Sequence, residues 1–217
     1  MRAIYNKAIE WGWDGVNPSN GIKKFKEKSR DRFLQQNELP RFFDALAEEP
    51  NEVVRDYILL SMFTGARKSN MLAMRWCDID LDMAIWRIPD TKNGDPVVIP
   101  LVGIALEILK KRKLSNDATG FIEHPYVFPG QKPNKPIADP KRTWKRVLKI
   151  SGISNLRLHD LRRTLGSWQA MTGATTAVIG KSLGHKSKHA TAVYERLQLD
   201  PVRAAFEAAT EAMYKHT

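Results

Sequence analysis

The sequence contains very little cysteine and no long apolar run. Cys77 is the one cysteine among 217 residues, which excludes an internal disulfide framework and makes a reducing cytoplasm the expected compartment. No stretch approaches the roughly 18 consecutive apolar residues of a membrane span, and no basic-then-apolar leader follows Met1. The sequence therefore predicts a soluble protein that neither spans a membrane nor is exported.

Positive charge is in clear excess. The chain has 35 Lys and Arg against 24 Asp and Glu, a formal net charge of +11. Residues 131–188 hold 13 of the basic residues and only two acidic ones, Asp139 and Asp160. This concentration favours a polyanionic partner, with nucleic acid as the first choice, although a solvated basic face explains the same composition.

The first residues differ in character from the rest. Ile4, Ala8 and Ile9 are spaced as one apolar stripe, which predicts a helix within residues 1–12. The segment that follows mixes Gly, Pro, Asn and Lys with little periodicity and is typical of a linker. We expect residues 1–32 to be the end of a missing N-terminal domain plus a linker, and residues 33–217 to form the main domain.

The main domain is predicted to be largely helical with one hairpin. Residues 84–99 change to the two-residue period of strands on either side of Asn93-Gly94, a dipeptide that favours a tight turn, and Lys92 lies at the tip. The fold class is therefore mainly α with a small antiparallel sheet (α+β). Helices are predicted from Asn37 as N-cap to Pro50, over 52–63, from Arg67 onward, over 101–113 and 140–152, and over 201–214 with Asp200 as cap.

Two residues of the stretch LHDLRRT suit a phosphate. His159 and Arg162 are three apart on a predicted helix, so their side chains point from one face. Arginine donates two parallel hydrogen bonds to phosphate oxygens and stays charged at any working pH. Arg163 faces elsewhere and is a candidate structural residue or phosphate contact.

The helix at 140–152 carries a basic face. Lys141, Lys145 and Lys149 recur at four-residue intervals, while Trp144 and Val147 face inward. These three lysines are candidate contacts for the phosphates of a nucleic-acid backbone.

A second histidine and a tyrosine follow. His185 comes directly after Gly184 at a predicted helix end, where glycine lets the chain reverse and leaves the ring facing a cleft. Tyr194 lies nine residues further on, and the other four tyrosines lie in positions less suited to a nucleophile. Taken alone, Tyr194 is better explained as a packed side chain, because covalent tyrosine chemistry is rare.

The order of these residues resembles the tyrosine recombinases, the phage integrase family, over residues 33–200. The residues that carry the resemblance are Arg67 in TGARKSN, Lys92 in TKNGDP, His159 and Arg162 in LHDLRRT, His185 in LGH, and Tyr194. The resemblance implies a catalytic domain that cuts one DNA strand as a 3′-phosphotyrosine, frees a 5′-hydroxyl and rejoins strands without metal or cofactor.

The same resemblance assigns roles. Tyr194 is the nucleophile and His159 its base, because forming phenolate from a phenol of pKa near ~10 costs about 4 kcal/mol at pH 7. Arg67 and Arg162 stabilise the charge on the phosphate, with His185 adding a hydrogen bond. Lys92 protonates the departing 5′-oxygen.

The resemblance also implies partners. It predicts double-stranded DNA attachment sites, a tetramer on DNA with a monomer possible without it, and docking of the terminal helix on a neighbouring protomer. The resemblance further predicts that the protein is bacterial or phage-encoded, is cytoplasmic and is associated with the nucleoid. Two departures from the family pattern are expected: Asn70 occupies a position that is glutamate in many members, and the N-terminal core-binding domain is predicted to be missing, with residues 1–12 as its remnant.

Other interpretations remain. The chain could be an inactive DNA-binding module of the same fold, or an enzyme that relaxes DNA like a type IB topoisomerase. The acidic stretch 78–82 lacks the glycine and distal glutamate of a calcium loop and is expected to be a solvated turn. His189 is expected at the surface, in the helix that carries Tyr194, and Cys77 is expected to be a small buried residue.

Overall fold

The structure is a computed structural model, and it describes residues 1–23, 25, 30–89, 96–118, 124–132, 134–185, 187–197 and 199–215. The chain divides into two compact units, Met1–Arg30 and Asp31–Thr217. The larger unit is mostly helical with one small sheet, which confirms the predicted α+β class.

The first unit is built on helix α1, Arg2–Glu10. Arg2 donates to the carbonyl oxygens of Ser19 at 2.6 Å and Ile22 at 2.9 Å, and Asn17 donates to the Arg2 carbonyl at 3.1 Å. These bonds fold the chain after the helix back onto its start.

The second unit contains nine further helices among the described residues. They are α2 Leu39–Ala47, α3 Glu52–Thr64, α4 Lys68–Leu72, α5 Ile104–Ala118, α6 Lys141–Ser151, α7 Asp160–Met171, α8 Thr176–Leu183, α9 Lys188–Ala192 and α10 Leu199–Tyr214.

Helix α3 forms the centre of the core. Its N-cap Asn51 accepts from the Val54 backbone N–H at 3.1 Å, which satisfies one of the free donors of the first turn. Tyr57, Ile58 and Leu60 are fully buried, and the helix packs against α4, α5 and α7. The helix that carries His159 and Arg162 is thereby fixed against the most buried element of the protein.

The sheet has three antiparallel strands in the order β1 Ile79–Asp80, β2 Ile85–Ile88 and β3 Val97–Pro100. In the pairing of β2 with β3, Ile85 lies opposite Pro100 and Ile88 opposite Val97. The predicted hairpin is present, while its turn at 90–95, with Lys92, lies outside the described residues.

Several predicted details were wrong. The acidic stretch 78–82 is not simply a solvated turn, because Ile79–Asp80 form an edge strand. Helix α2 begins at Leu39, so Glu38 rather than Asn37 occupies the N-cap position, without a side-chain capping bond, and Pro40 lies in the first turn, where its missing N–H costs nothing. Cys77 is exposed in a 3-10 turn, Trp76–Asp78, and not buried.

Helix α5 offers a matched test of the core. Leu109 is fully buried, whereas Leu114 on the same helix is 71% exposed. We expect Leu109→Ala to lower the free energy of unfolding by about 2–5 kcal/mol, because it leaves a cavity. Leu114→Ala should change it by less than about 0.5 kcal/mol. Urea unfolding followed by circular dichroism measures both, and equal losses would contradict this packing.

Candidate active site

Arg162 is buried between two helix ends. Its Nη1 donates to the Gly65 carbonyl oxygen at 2.6 Å, and its Nη2 donates to the Leu183 carbonyl oxygen. Gly65 and Gly184 cap α3 and α8 in the left-handed conformation, at φ 60° and 59°. Helix C-termini carry partial negative charge and free carbonyls, so they hold a guanidinium without a carboxylate.

Arg67 lies beside Arg162. It is the N-cap of α4, and its Nη2 donates to the Gly184 carbonyl oxygen at 3.3 Å. Both arginines line one small cavity, together with Asn70 of α4 and Val97 of β3. The structure therefore brings the residues after TGA and the hairpin against α8.

Arg67 and Arg162 place uncompensated positive charge at this cavity. Among the described residues neither Arg67 nor Arg162 forms an ion pair with a carboxylate. Asn70 accepts from the Ser69 hydroxyl at 3.4 Å, and the contact that orients Arg67 is the Gly184 carbonyl. Burial lowers the pKa of Arg162 to about 10, with the nearby charge of Arg67 adding to the shift, so Arg162 remains a cation at pH 7.

His159 is the N-cap of α7 and has helical backbone angles. Its side chain lines a cavity with Tyr57, Lys68 and Arg162. Partial desolvation of the ring lowers the pKa of His159, and the charges of Arg162, Arg163 and Arg67 act in the same direction. The imidazole is therefore neutral at pH 7 and able to accept a proton.

Two of the four candidate DNA contacts, Lys141 and Lys145, lie next to His159. A surface groove between α6 and the segment 156–159 is lined by Lys141, Lys145, Lys68 and His159. Lys149 is exposed on the same helix, and Arg163 is half-buried on α7. The positive charge of Arg163 contributes to the lowered pKa of His159 and partly opposes the burial that raises the pKa of Tyr194.

His185 follows the end of α8 and faces Tyr194. The two rings are nearly parallel, with an angle of 8° and 6.4 Å between centroids. Burial lowers the pKa of His185 to about 4, helped by the charges of Arg162 and Arg67, so the ring is neutral at pH 7. His189 is exposed on α9.

Tyr194 is buried. It comes two residues after α9 rather than inside it, and it belongs to a small apolar cluster with Ala170, Ile179 and Leu183. Burial raises the pKa of the phenol, and the positive charges of Arg162 and Arg163 oppose that shift. In this conformation the phenol is fully protonated at pH 7.

Sequence reasoning missed Gly166, whose lack of a side chain makes the Tyr194 pocket. A Cβ there would lie 2.6 Å from Cζ of Tyr194 and 2.9 Å from Cδ1 of Leu183. Gly166 is inside α7, where glycine is unfavourable by about 1 kcal/mol relative to alanine. A glycine that interrupts a predicted helix was the available signal for close packing.

Within the described residues, no group of His, Cys, Asp and Glu side chains is arranged to hold a metal ion. Within the same ranges, no helix has both the length and the apolar character needed to cross a bilayer.

Comparison with known proteins identifies the family. Residues 32–200 match the phage integrase family, and the chain belongs to it. Prophage integrase IntF of Escherichia coli strain K12 is 29% identical over 174 residues, covering 80% of this chain and 37% of that protein. The chain spans about half or less of the length of the curated relatives it matches first.

Solved structures show the same fold. The catalytic domain of bacteriophage HP1 integrase has a TM-score of 0.60 and 17% identity, covering 81% of this chain and 93% of that one. The XerH site-specific recombinase, solved on palindromic difH substrate after cleavage, has a TM-score of 0.66 and 19% identity, covering 81% of this chain and 52% of that one.

Gly166 provides a test of the Tyr194 pocket. Helix propensity alone predicts that Gly166→Ala stabilises the protein by about 1 kcal/mol. The pocket predicts the opposite, a loss of about 1–3 kcal/mol, because the new methyl group overlaps the tyrosine ring. Thermal unfolding measures the sign.

The control is the same change in a Tyr194→Ala background. There the overlap with the ring is gone and the loss should shrink, so the effects of the two changes on the free energy of unfolding are non-additive. A stabilising Gly166→Ala in the otherwise unchanged protein would contradict the pocket.

Proposed function

We propose that this chain is the catalytic domain of a site-specific DNA recombinase that cuts and rejoins DNA through a 3′-phosphotyrosine. The observation that carries the proposal is the convergence of Arg67, Arg162, His185 and Tyr194 around the facing ends of α3 and α8, in a member of the phage integrase family. His159 lies at the start of the same helix as Arg162.

Phosphate binding is the task of the arginines. Arg67 and Arg162 donate to the non-bridging oxygens of the scissile phosphate and stabilise the charge that develops on the five-coordinate phosphorus. Preorganised donors of this kind contribute about 3–4 kcal/mol each. Because carbonyl oxygens rather than carboxylates hold them, their full charge is available to the phosphate.

Bond exchange follows. The Tyr194 oxygen attacks phosphorus, the bond to the 5′-oxygen breaks, and the phenolic proton passes to neutral His159. Lys92, outside the described residues, supplies the proton to the departing 5′-oxygen. The reverse attack by a 5′-hydroxyl restores the phosphodiester and releases Tyr194, so no metal, cofactor or nucleotide is required.

Tyr194 must move before it reacts. Its side chain is 5% exposed and lies against Gly166, with its phenol pKa raised by burial. We infer that DNA binding draws the segment after α9 out of this pocket and presents the hydroxyl to the phosphate held by Arg162.

Double-stranded DNA is the proposed partner. The XerH structure contains its difH substrate, and the groove beside His159 in this chain carries Lys141 and Lys145. We propose that Lys141, Lys145, Lys149 and Arg163 contact DNA phosphates on the way to the site. Because the proposed partner is DNA, we also propose that the protein is associated with the bacterial nucleoid.

Assembly and domain organisation extend the proposal. Helix α10 exposes Phe206, Met213 and Tyr214, and we propose that it docks on a neighbouring protomer in a DNA-bound tetramer. We further propose that residues 33–217 are the catalytic domain and that residues 1–32 belong with a core-binding domain, in keeping with the separation of Met1–Arg30 from the rest.

Tyr194→Phe tests the nucleophile. The unaltered chain is incubated with host DNA, denatured, and the protein-linked ends are sequenced, which also reveals the attachment site. Tyr194→Phe should abolish the covalent adduct, because no phenolic oxygen remains, and leave DNA affinity within about twofold.

Tyr126→Phe, at a half-buried residue whose hydroxyl accepts a hydrogen bond from Arg75 at 3.2 Å outside the proposed site, should form the normal amount of adduct. An adduct that persists in Tyr194→Phe would assign the nucleophile elsewhere. Absence of any adduct from the unaltered chain, with DNA binding intact, would favour an inactive DNA-binding module.

Lysine variants test the groove. We expect the logarithm of the DNA association constant to fall steeply with the logarithm of salt concentration, since each neutralised phosphate releases counterions. Lys145→Gln should reduce the magnitude of that slope by about 1. Lys110→Gln, exposed on α5 outside residues 131–188, is the control and should leave the slope unchanged. Fluorescence anisotropy with duplex DNA measures both; equal slopes for both variants would exclude Lys145 as a phosphate contact.

A further inference from the structure

Thr191 makes a hydrogen bond unlike those of two other buried helical threonines, Thr64 and Thr164. Thr64 donates to the carbonyl of Leu60 and Thr164 to that of Asp160, each four residues back along its own helix. Thr191 is also buried on a helix, yet its Oγ1 lies 3.0 Å from Nδ1 of His185. This hydroxyl leaves its own helix to contact a ring of the candidate active site.

The surroundings of the Thr191 hydroxyl decide which group donates in its hydrogen bond with His185. A hydroxyl can donate or accept, and a neutral imidazole has one nitrogen of each kind. Within the described ranges, the Thr191 hydroxyl forms no hydrogen bond other than the one to Nδ1. Since buried donors are rarely left unpaired, the hydroxyl donates and Nδ1 accepts. The ring proton of His185 is then on Nε2.

Close packing of α9 on α8 makes the contact. A Cβ at Gly180 would lie 3.1 Å from the Thr191 hydroxyl oxygen, a tight contact that would require α9 to shift by a few tenths of an ångström. The backbone N–H of His185 donates to the Gly180 carbonyl at 2.9 Å, so Gly180 also fixes the backbone of His185.

We propose that Thr191 is a positioning residue: its hydroxyl holds His185 as the Nε2–H tautomer, so that Nε2–H donates to an oxygen of the phosphate bound by Arg67 and Arg162. The hydrogen bond from Nε2–H to the phosphate rests on the function proposed above. The tautomer of His185 is a property of the folded chain alone.

The tautomer decides whether His185 attracts or repels the phosphate. The ring is neutral at pH 7, because burial and two neighbouring guanidinium groups disfavour its protonation. A neutral ring with its proton on Nδ1 would direct the lone pair of Nε2 at an anionic oxygen. With the proton on Nε2, the same ring donates a hydrogen bond to that oxygen.

Nitrogen NMR of the ¹⁵N-labelled 217-residue chain tests the tautomer directly. The chain has five histidines, and His185→Gln identifies the signals of interest by their loss. We expect a protonated Nε2 and an Nδ1 that accepts a hydrogen bond, unchanged in Thr191→Ser. Thr191→Val, equal in shape but without the hydroxyl, should shift the Nδ1 resonance towards that of a free acceptor. A proton on Nδ1, or no shift in Thr191→Val, overturns the proposal.

Adduct formation on host DNA tests the consequence. Thr191→Val should form the adduct about tenfold more slowly, the loss expected for one hydrogen bond to a charged group. Thr191→Ser should recover most of the rate. Thr172→Val is the control, since Thr172 is an exposed residue that follows α7 and donates to the Trp168 carbonyl, and its rate should be normal.

The two measurements separate the two proposals. A changed Nδ1 resonance with an unchanged rate in Thr191→Val would overturn the assignment of His185 as a phosphate donor. If the unaltered chain forms no adduct, the recombinase proposal fails, and the NMR result still decides whether Thr191 sets the tautomer.

Discussion

The arrangement depends on one buried cation held by backbone carbonyls. Arg162 bridges the Gly65 carbonyl at the end of α3 and the Leu183 carbonyl at the end of α8. Removing a guanidinium from water is costly unless its donors are satisfied, and two helix C-termini supply both the acceptors and a favourable field. The bond to Gly65 therefore joins the C-terminal helices to the central helix of the core.

Because backbone carbonyl oxygens hold Arg162, its positive charge is not neutralised, as it would be by a carboxylate. An arginine paired with a carboxylate is locally neutral, whereas one held by carbonyl oxygens keeps its unit charge. Arg67 is held in the same manner by Gly184, so two positive charges lie side by side. Burial lowers the pKa values of His159, His185 and Arg162, and the neighbouring positive charges lower them further. The site is thus prepared for an anion, and Asn70 in place of glutamate is consistent with an Arg67 that the backbone orients.

The sequence predicted what has a periodic or motif-based signal. The helices that became α2, α3 and α6 follow from apolar spacing, and the β2–β3 hairpin from alternation around Asn-Gly. The strand Ile79–Asp80 has only two residues, which is too short to show the alternation of apolar and polar side chains, so the sequence DIDLD predicted a turn instead. Close approaches have no periodic signal either: Gly166 under Tyr194 and Thr191 beside His185 depend on which helices meet. The conformation of Tyr194 was also beyond the sequence, because burial is a property of the assembled cluster.

Cys77 has a practical consequence. It is the one cysteine of the chain, it is exposed, and it lines a surface depression with Asn70 and Trp86 at the foot of the hairpin. A maleimide dye would attach there at a single defined position without any engineered change. A dye on Cys77 lies two residues before the edge strand, which begins at Ile79, and its fluorescence would report movements of the hairpin in solution.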